Sequence, residues 1–174
     1  MTRQQFLSDA ILESRMLIAR YFNGFDNTNH TRAAEHLPNH FAWTLGHLAL
    51  TLHRAAEKLD RAALPASDFL TGDGRAGTRD RFDTESVCFA SKPQPSAETY
   101  PTRARAEEIF NAAVQRFAAA VCNATDQQLD AQVPWGNGTV SMANLAARMV
   151  FHTGTHAGQL ADLRRALGLG SIFG

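Results

Sequence analysis

The sequence predicts an all-α protein: a four-helix bundle with a long connection between its second and third helices. Three observations lead there. Apolar residues recur at helical spacing in four separate segments, and no long stretch shows the apolar–polar alternation of a half-buried strand. The chain has 174 residues, 44% hydrophobic and 20% charged, which is the size and balance of one domain, spanning 1–174, with a single core.

The first segment, about residues 2–24, places Leu7, Ile11, Ser14, Ile18 and Phe22 on one stripe, leaves Gln4, Glu13 and Arg20 off it, and stops at Asn23-Gly24. The second follows "EHLPN", where Pro38 suits a first helical turn, and runs to about residue 60 with Phe41, Leu45, Leu48 and Leu52 facing inward. Residues 65–95 are rich in Gly, Pro, Asp, Ser and Thr and carry no sustained period. A segment of that length without its own structure reads either as disordered or as a functional lid. The third helix starts near "SAETYP" and continues to about Asn123, with Ile109, Ala113, Phe117, Ala120 and Val121 inward. A polar connector, "ATDQQLDAQVPWGNG", comes next, and its Asn137-Gly138 is a turn signal that could close a small hairpin. The last helix begins near Thr139 or Ser141, either a suitable N-cap, and runs to Leu167 with Gly168 as its C′ residue. Such helices bury their stripes most simply as a bundle, an architecture that builds metal and cofactor sites on facing helices.

Charge narrows the function. Lys and Arg number 17, as do Asp and Glu, so the net charge is zero and electrostatic capture of nucleic acid or an acidic membrane is not expected. The N-terminal "MTRQQFLSDAILESRML" carries charged and polar residues throughout rather than an apolar run, and no segment has the length of a membrane span, which predicts a cytoplasmic protein. Cys88 and Cys122 have no metal-binding or redox spacing and read as small hydrophobes or free thiols.

The stretch "VFHTGTHAGQL" carries the chemistry. His152 and His156 are four apart, so on a helix both imidazoles lie on one face, one turn apart, and can address one ion. His36 and His40 have the same spacing, but Pro38 stands between them at a helix start, so they need not share a face. Two imidazoles rarely hold a zinc-like ion alone. His47, mid-helix in the apolar "FAWTLGHLAL", is the best third ligand, although three unrelated histidines satisfied by neighbouring groups would give the same spacings. His30, His40 and His53 read as surface or helix-flank residues, with His40 two turns before His47 and able to face the same cavity. Gly154 and Gly158 flank His156 at about 1 kcal/mol each relative to alanine, which suggests tight packing or the close approach of a helix or ligand. Gln159, three residues after His156, could bond an imidazole nitrogen or a bound water. Thr153 stands where a zinc metalloprotease of the H-E-x-x-H type has its glutamate, which argues against that class.

The "FAWTLGHLAL" element, a long variable connection and "HTGTHAGQLADLRRALG" on the last helix together resemble the DinB/YfiT-like superfamily of metal-dependent enzymes, in order and helix count over nearly the whole chain. The resemblance implies a bundle in which His47, His152 and His156 bind one divalent transition ion, nickel or zinc, with water in the remaining position. It further implies a homodimer and thiol-dependent S-transfer or isomerisation with a low-molecular-weight thiol, although many relatives have no assigned reaction. The family name refers to DNA-damage induction and implies no DNA binding.

A three-histidine ion with an open position can turn a water or thiol into a nucleophile near neutral pH, and three neutral ligands leave its full charge to attract an anion. That makes a metal-dependent transferase or hydrolase acting on a small molecule the leading expectation. No catalytic acid or base stands out. Arg75, Arg79 and Arg81 in the long connection could hold a substrate carboxylate or simply be solvated. The alternatives are a non-catalytic metal- or small-molecule-binding protein of the stress response, and a structural bundle with an incidental histidine cluster.

Overall fold

The computed structural model describes residues 1–72, 74 and 77–172. Among them are six α-helices: α1 (Arg3–Ala19), α2 (Phe41–Asp60), α3 (Thr84–Val87), α4 (Arg103–Cys122), α5 (Asp126–Asp130) and α6 (Met142–Ala166). The four long ones pack in a ring, α1 on α4, α4 on α2, α2 on α6 and α6 on α1. Among the described residues no helix is long and apolar enough to cross a membrane.

Local chemistry sets where each helix begins. The side chains of Thr2, Thr102 and Ser141 accept the N–H of Gln5, Arg105 and Asn144, so α1, α4 and α6 all start on hydroxyl caps. At the far end of α1 a 3₁₀ turn, Arg20–Phe22, extends the helix to Asn23, and Gly24 at φ +85° lets the chain reverse. Helix α4 starts later than the sequence pattern suggests. "SAETYP" forms a separate 3₁₀ turn, Ala97–Thr99, and regular helix waits until Pro101 and the Thr102 cap have passed.

Helix α2 is the central element: every residue from 41 to 50 is buried. Facing it are Ile109, Phe110, Ala113 and Phe117 of α4 and Leu145, Met149 and Leu160 of α6. Arg164 of α6, only 3% exposed, pairs with no carboxylate among the described residues and donates to the carbonyls of Tyr21, Leu169 and Gly170. Its charge is thereby met by carbonyls of the segments that follow α1 and α6.

Two regions depart from the sequence expectation. The described residues of the 65–95 connection are neither structureless nor a detached lid. Strands β1 (Phe69–Leu70) and β2 (Phe82–Asp83) pair in parallel, α3 follows on an Asp83 cap, and Phe69, Phe82 and Val87 bury themselves in the core. The connector after α4 contains α5, whose Thr125 and Gln128 form a reciprocal capping box. The hairpin expected there forms from β3 (Gln132–Trp135) and β4 (Gly138–Ser141), shifted by one residue: Trp135 pairs with Gly138, so Gly136-Asn137 makes the turn. Gly136 takes the positive φ, +58°, that a two-residue turn needs at its first central position.

Candidate metal centre

The sequence "FAWTLGHLAL" makes one wall of the centre. His47 lies on α2 with its ring stacked on Trp43 one turn earlier, centroids 4.7 Å apart and planes 9° from parallel. Gly46 has a specific reason to be glycine: a Cβ there would sit 2.7 Å from the Phe82 ring and 2.8 Å from Val87 Cγ1. Its bare backbone lets the 82–87 segment press onto α2, which places the Val87 carbonyl 2.9 Å from His47 Nδ1. A carbonyl only accepts, so the His47 proton is on Nδ1 and its Nε2 carries a lone pair.

The opposite wall is α6. Met149, Thr153, His156 and Leu160 form its inward stripe. His156 Nδ1 donates to Gln159 Oε1 at 2.9 Å, and Asn39 Nδ2 donates to the same oxygen at 3.1 Å. The His156 Nε2 lone pair is therefore also free. It points at His152 Nε2, 3.1 Å away, and His47 Nε2 lies 3.2 Å from that same atom.

Three imidazole nitrogens on two facing helices thus converge, all within 4.8 Å of one another. Three lone pairs at these distances repel unless something positive lies among them, and a single shared proton answers only one contact. Zinc–nitrogen bonds of about 2.0–2.1 Å in tetrahedral geometry separate ligand nitrogens by roughly 3.3 Å, close to the spacings seen here. Burial disfavours the charged form of each ring, lowering His47 and taking His152 to about 4 and His156 to about 3, with the neighbouring imidazoles adding to the effect for the last two. All three are neutral at pH 7, the form that ligates a metal. His47 and His156 are buried and His152 is half-buried, so the cluster opens to solvent on the His152 side.

The other residues singled out from sequence take up different posts. His40 is the N-cap of α2: its Nδ1 accepts the Trp43 N–H at 3.1 Å and its Nε2 donates to the Gln94 carbonyl at 3.0 Å, so both nitrogens are occupied. His36 is exposed at φ +64°, outside the helix and away from the face His40 uses. His53 accepts from Arg116 at 3.1 Å and packs edge-on against Phe69, and His30 is fully buried. Thr153 is buried with its hydroxyl on the Met149 carbonyl. Arg79 pairs with Glu98 and Arg81 donates to the Ala66 carbonyl, so each is engaged within the connection; Arg75 lies outside the described residues. Gly154 and Gly158 are not packing glycines: a Cβ at either would meet nothing within 4 Å. Nothing among the described residues explains them.

Sequence reasoning missed Asn39, the Val87 carbonyl and the role of Gly46. Only the last had a signal, a glycine directly before a buried histidine. Two cavities, of about 460 and 330 Å³, lie away from the three histidines, beside Arg164 and Gly168 and beside Asp60 and Arg116.

A helical protein whose second and last long helices bring three neutral imidazoles to one point belongs to the class of proteins equipped to hold a transition metal. The sequence matches the DinB superfamily over residues 10–160, and the chain belongs to that family. A crystal structure of a conserved protein from Enterococcus faecalis superposes with a TM-score of 0.71 at 14% identity, covering 98% of this chain and 99% of that one, a likeness of fold alone. No curated protein matches the sequence.

Proposed function

We propose that this protein is a metal-dependent enzyme built on a single-domain four-helix bundle, with His47, His152 and His156 as the ligands of one divalent transition ion, zinc or nickel. The observation that carries this reading is the convergence of the three Nε2 atoms, with His47 and His156 held in the ligating tautomer by acceptors at their Nδ1 atoms. Three protein ligands and a solvent-facing side are the pattern of catalytic rather than structural zinc. A bound ion would supply Lewis-acid activation of a coordinated water or thiol. The chain's own groups do the rest: Val87 and Gln159 orient two rings, and Trp43 stacks flat on the His47 ring.

The reaction class that fits is S-transfer or hydrolysis on a small molecule, with a low-molecular-weight thiol as co-substrate, in the cytoplasm. We further read the protein as a homodimer, because α1 and α6 pack side by side and leave Phe6, Met16, Leu17 and Phe151 exposed. Elemental analysis of the untagged protein beside a His47→Ala, His152→Ala, His156→Ala variant tests the metal. About one equivalent in the wild type alone supports the reading and directs a screen of thiol-transfer reactions with that ion. No metal in either after reconstitution with Zn(II) and Ni(II) sinks it.

A further inference from the structure

Gln159 Oε1 sits between two donors, Asn39 Nδ2 and His156 Nδ1. This small network has two self-consistent arrangements. In one, both donors point at the amide oxygen, the imidazole proton is on Nδ1, and His156 Nε2 is bare. In the other, both amides are reversed: Asn39 Oδ1 accepts from the Gln159 NH₂, which also donates to His156 Nδ1, and the imidazole proton moves to Nε2, where it blocks ligation. Gln159 alone does not choose between them, because its amide offers either face to the ring; the Asn39 and Gln159 amides turn together, and with Asn39 Nδ2 donating, as in this structure, the pair holds the first arrangement.

We propose that Asn39 is a positioning residue for the metal centre, and that its amide N–H holds Gln159 in the orientation that leaves His156 Nε2 bare. Asn39 is well placed for this. It directly precedes the His40 cap of α2, so its backbone is anchored at a helix start, and its side chain crosses to α6 on the far wall of the site. It touches none of the three ligand nitrogens and acts only through Gln159. The consequence for affinity rests on the metal-binding reading above, whereas the tautomer is a property of the metal-free protein.

Two nearly isosteric substitutions separate this role from a general electrostatic one. Asn39→Asp replaces the donor with a second acceptor, so Gln159 must turn its NH₂ toward that carboxylate and the ring follows into the Nε2–H form. Gln159→Glu gives two acceptor oxygens facing two donors, which locks the Nδ1–H form and makes the ring a stronger ligand. Each adds one negative charge near the site. A field effect on a dication would tighten binding in both, whereas the network demands opposite signs.

The experiment uses the full chain with ¹⁵N-labelled histidine. Long-range ¹H–¹⁵N correlation of the metal-free protein near neutral pH reads the His156 tautomer, with His156→Gln assigning its signals, and competition with a chromogenic chelator measures Zn(II) affinity. The wild type is expected in the Nδ1–H form. Asn39→Asp is expected to move His156 to Nε2–H and weaken Zn(II) by about tenfold or more, while Gln159→Glu keeps Nδ1–H and binds more tightly. An unchanged tautomer in Asn39→Asp, or tighter Zn(II) binding in both variants, overturns the proposal. A wild type that takes up no Zn(II) overturns the metal reading instead, and the metal-free spectra still decide what Asn39 does.

Discussion

His40 and His53 on one side, and His47, His152 and His156 on the other, are histidines in comparable surroundings with different prospects. Burial takes His40 and His53 to a pKa of about 4, as it does His152, and His156 only a little lower. Proton affinity therefore does not separate the sets. What separates them is where the lone pairs point. Both nitrogens of His40 meet protein groups, and His53 accepts from Arg116, whereas the three Nε2 atoms of the other set face one another. The Nε2 of His53 is also without a hydrogen-bond partner among the described residues, but it stands alone; what marks a set of buried imidazoles as ligands is that their open nitrogens converge on one point.

The sharpest way to break that comparison is to exchange the outcomes. His152→Ala is expected to abolish stoichiometric metal uptake while changing the stability of the metal-free protein by less than about 1 kcal/mol, because its ring is half-exposed and fills no core position. His40→Ala is expected to do the reverse. Losing the α2 cap and the bond to Gln94 costs about 1–3 kcal/mol, and metal uptake persists. Elemental analysis and urea unfolding of the two variants read both quantities, and metal loss in His40→Ala would merge the two sets.

Acid treats the sets alike, which gives the second prediction. The folded pKa of each buried ring lies below the unfolded value near 6.5, so between the two the unfolded chain binds more protons. Stability is whole above that window and falls as pH drops through 6.5 toward 4. A ring held at about 4 removes on the order of 3 kcal/mol when the loss is complete. Urea midpoints of the metal-free protein, taken in steps from neutrality to about pH 4.5, should fall steadily. A flat profile would mean that these rings are solvated and that neither set is buried as described.

How much of this was readable beforehand depends on the range of the interaction. The long helices follow from periodicity and caps, signals contained within a few residues, and so does the pairing of His152 with His156 on one face of α6. His47 was reachable because a mid-helix histidine among apolar neighbours asks for a partner. The 65–95 connection was opaque for the opposite reason: Phe82 and Val87 are positioned by contact with Gly46, and their pattern in the chain resembles a turn-rich loop. Helix α5 is too short for a period, although Thr125 and Gln128 spelled its capping box. Asn39 meets Gln159 across 120 positions of sequence, a contact no local rule anticipates.

Gly46 turns that lesson into a third prediction. Gly46→Ala forces a methyl against Phe82 and Val87, an overpacking of about 1–3 kcal/mol. Relief requires the 82–87 segment to withdraw, taking the Val87 carbonyl from His47 Nδ1. Stability and Zn(II) affinity should fall together, the latter by about tenfold. Reduced stability with unchanged affinity would show that His47 keeps its tautomer without Val87.

Gly154 and Gly158 give the smallest effect and the opposite sign. They flank His156 in sequence as Gly46 precedes His47, yet their Cβ positions are open and both are exposed on α6. Alanine at either should therefore stabilise the isolated chain, by up to about 1 kcal/mol from helix propensity. At this chain length that is roughly 2–4 °C in Tm for each site. The gain should appear in thermal unfolding at low protein concentration with metal binding unchanged, because neither methyl approaches an imidazole. Size-exclusion chromatography across a concentration series sharpens the reading. If the double variant is less stable, or loses an oligomer the wild type forms, the open space beside α6 is filled by a second copy. Glycine would then be required there for the reason it is required at position 46, the close approach of another backbone.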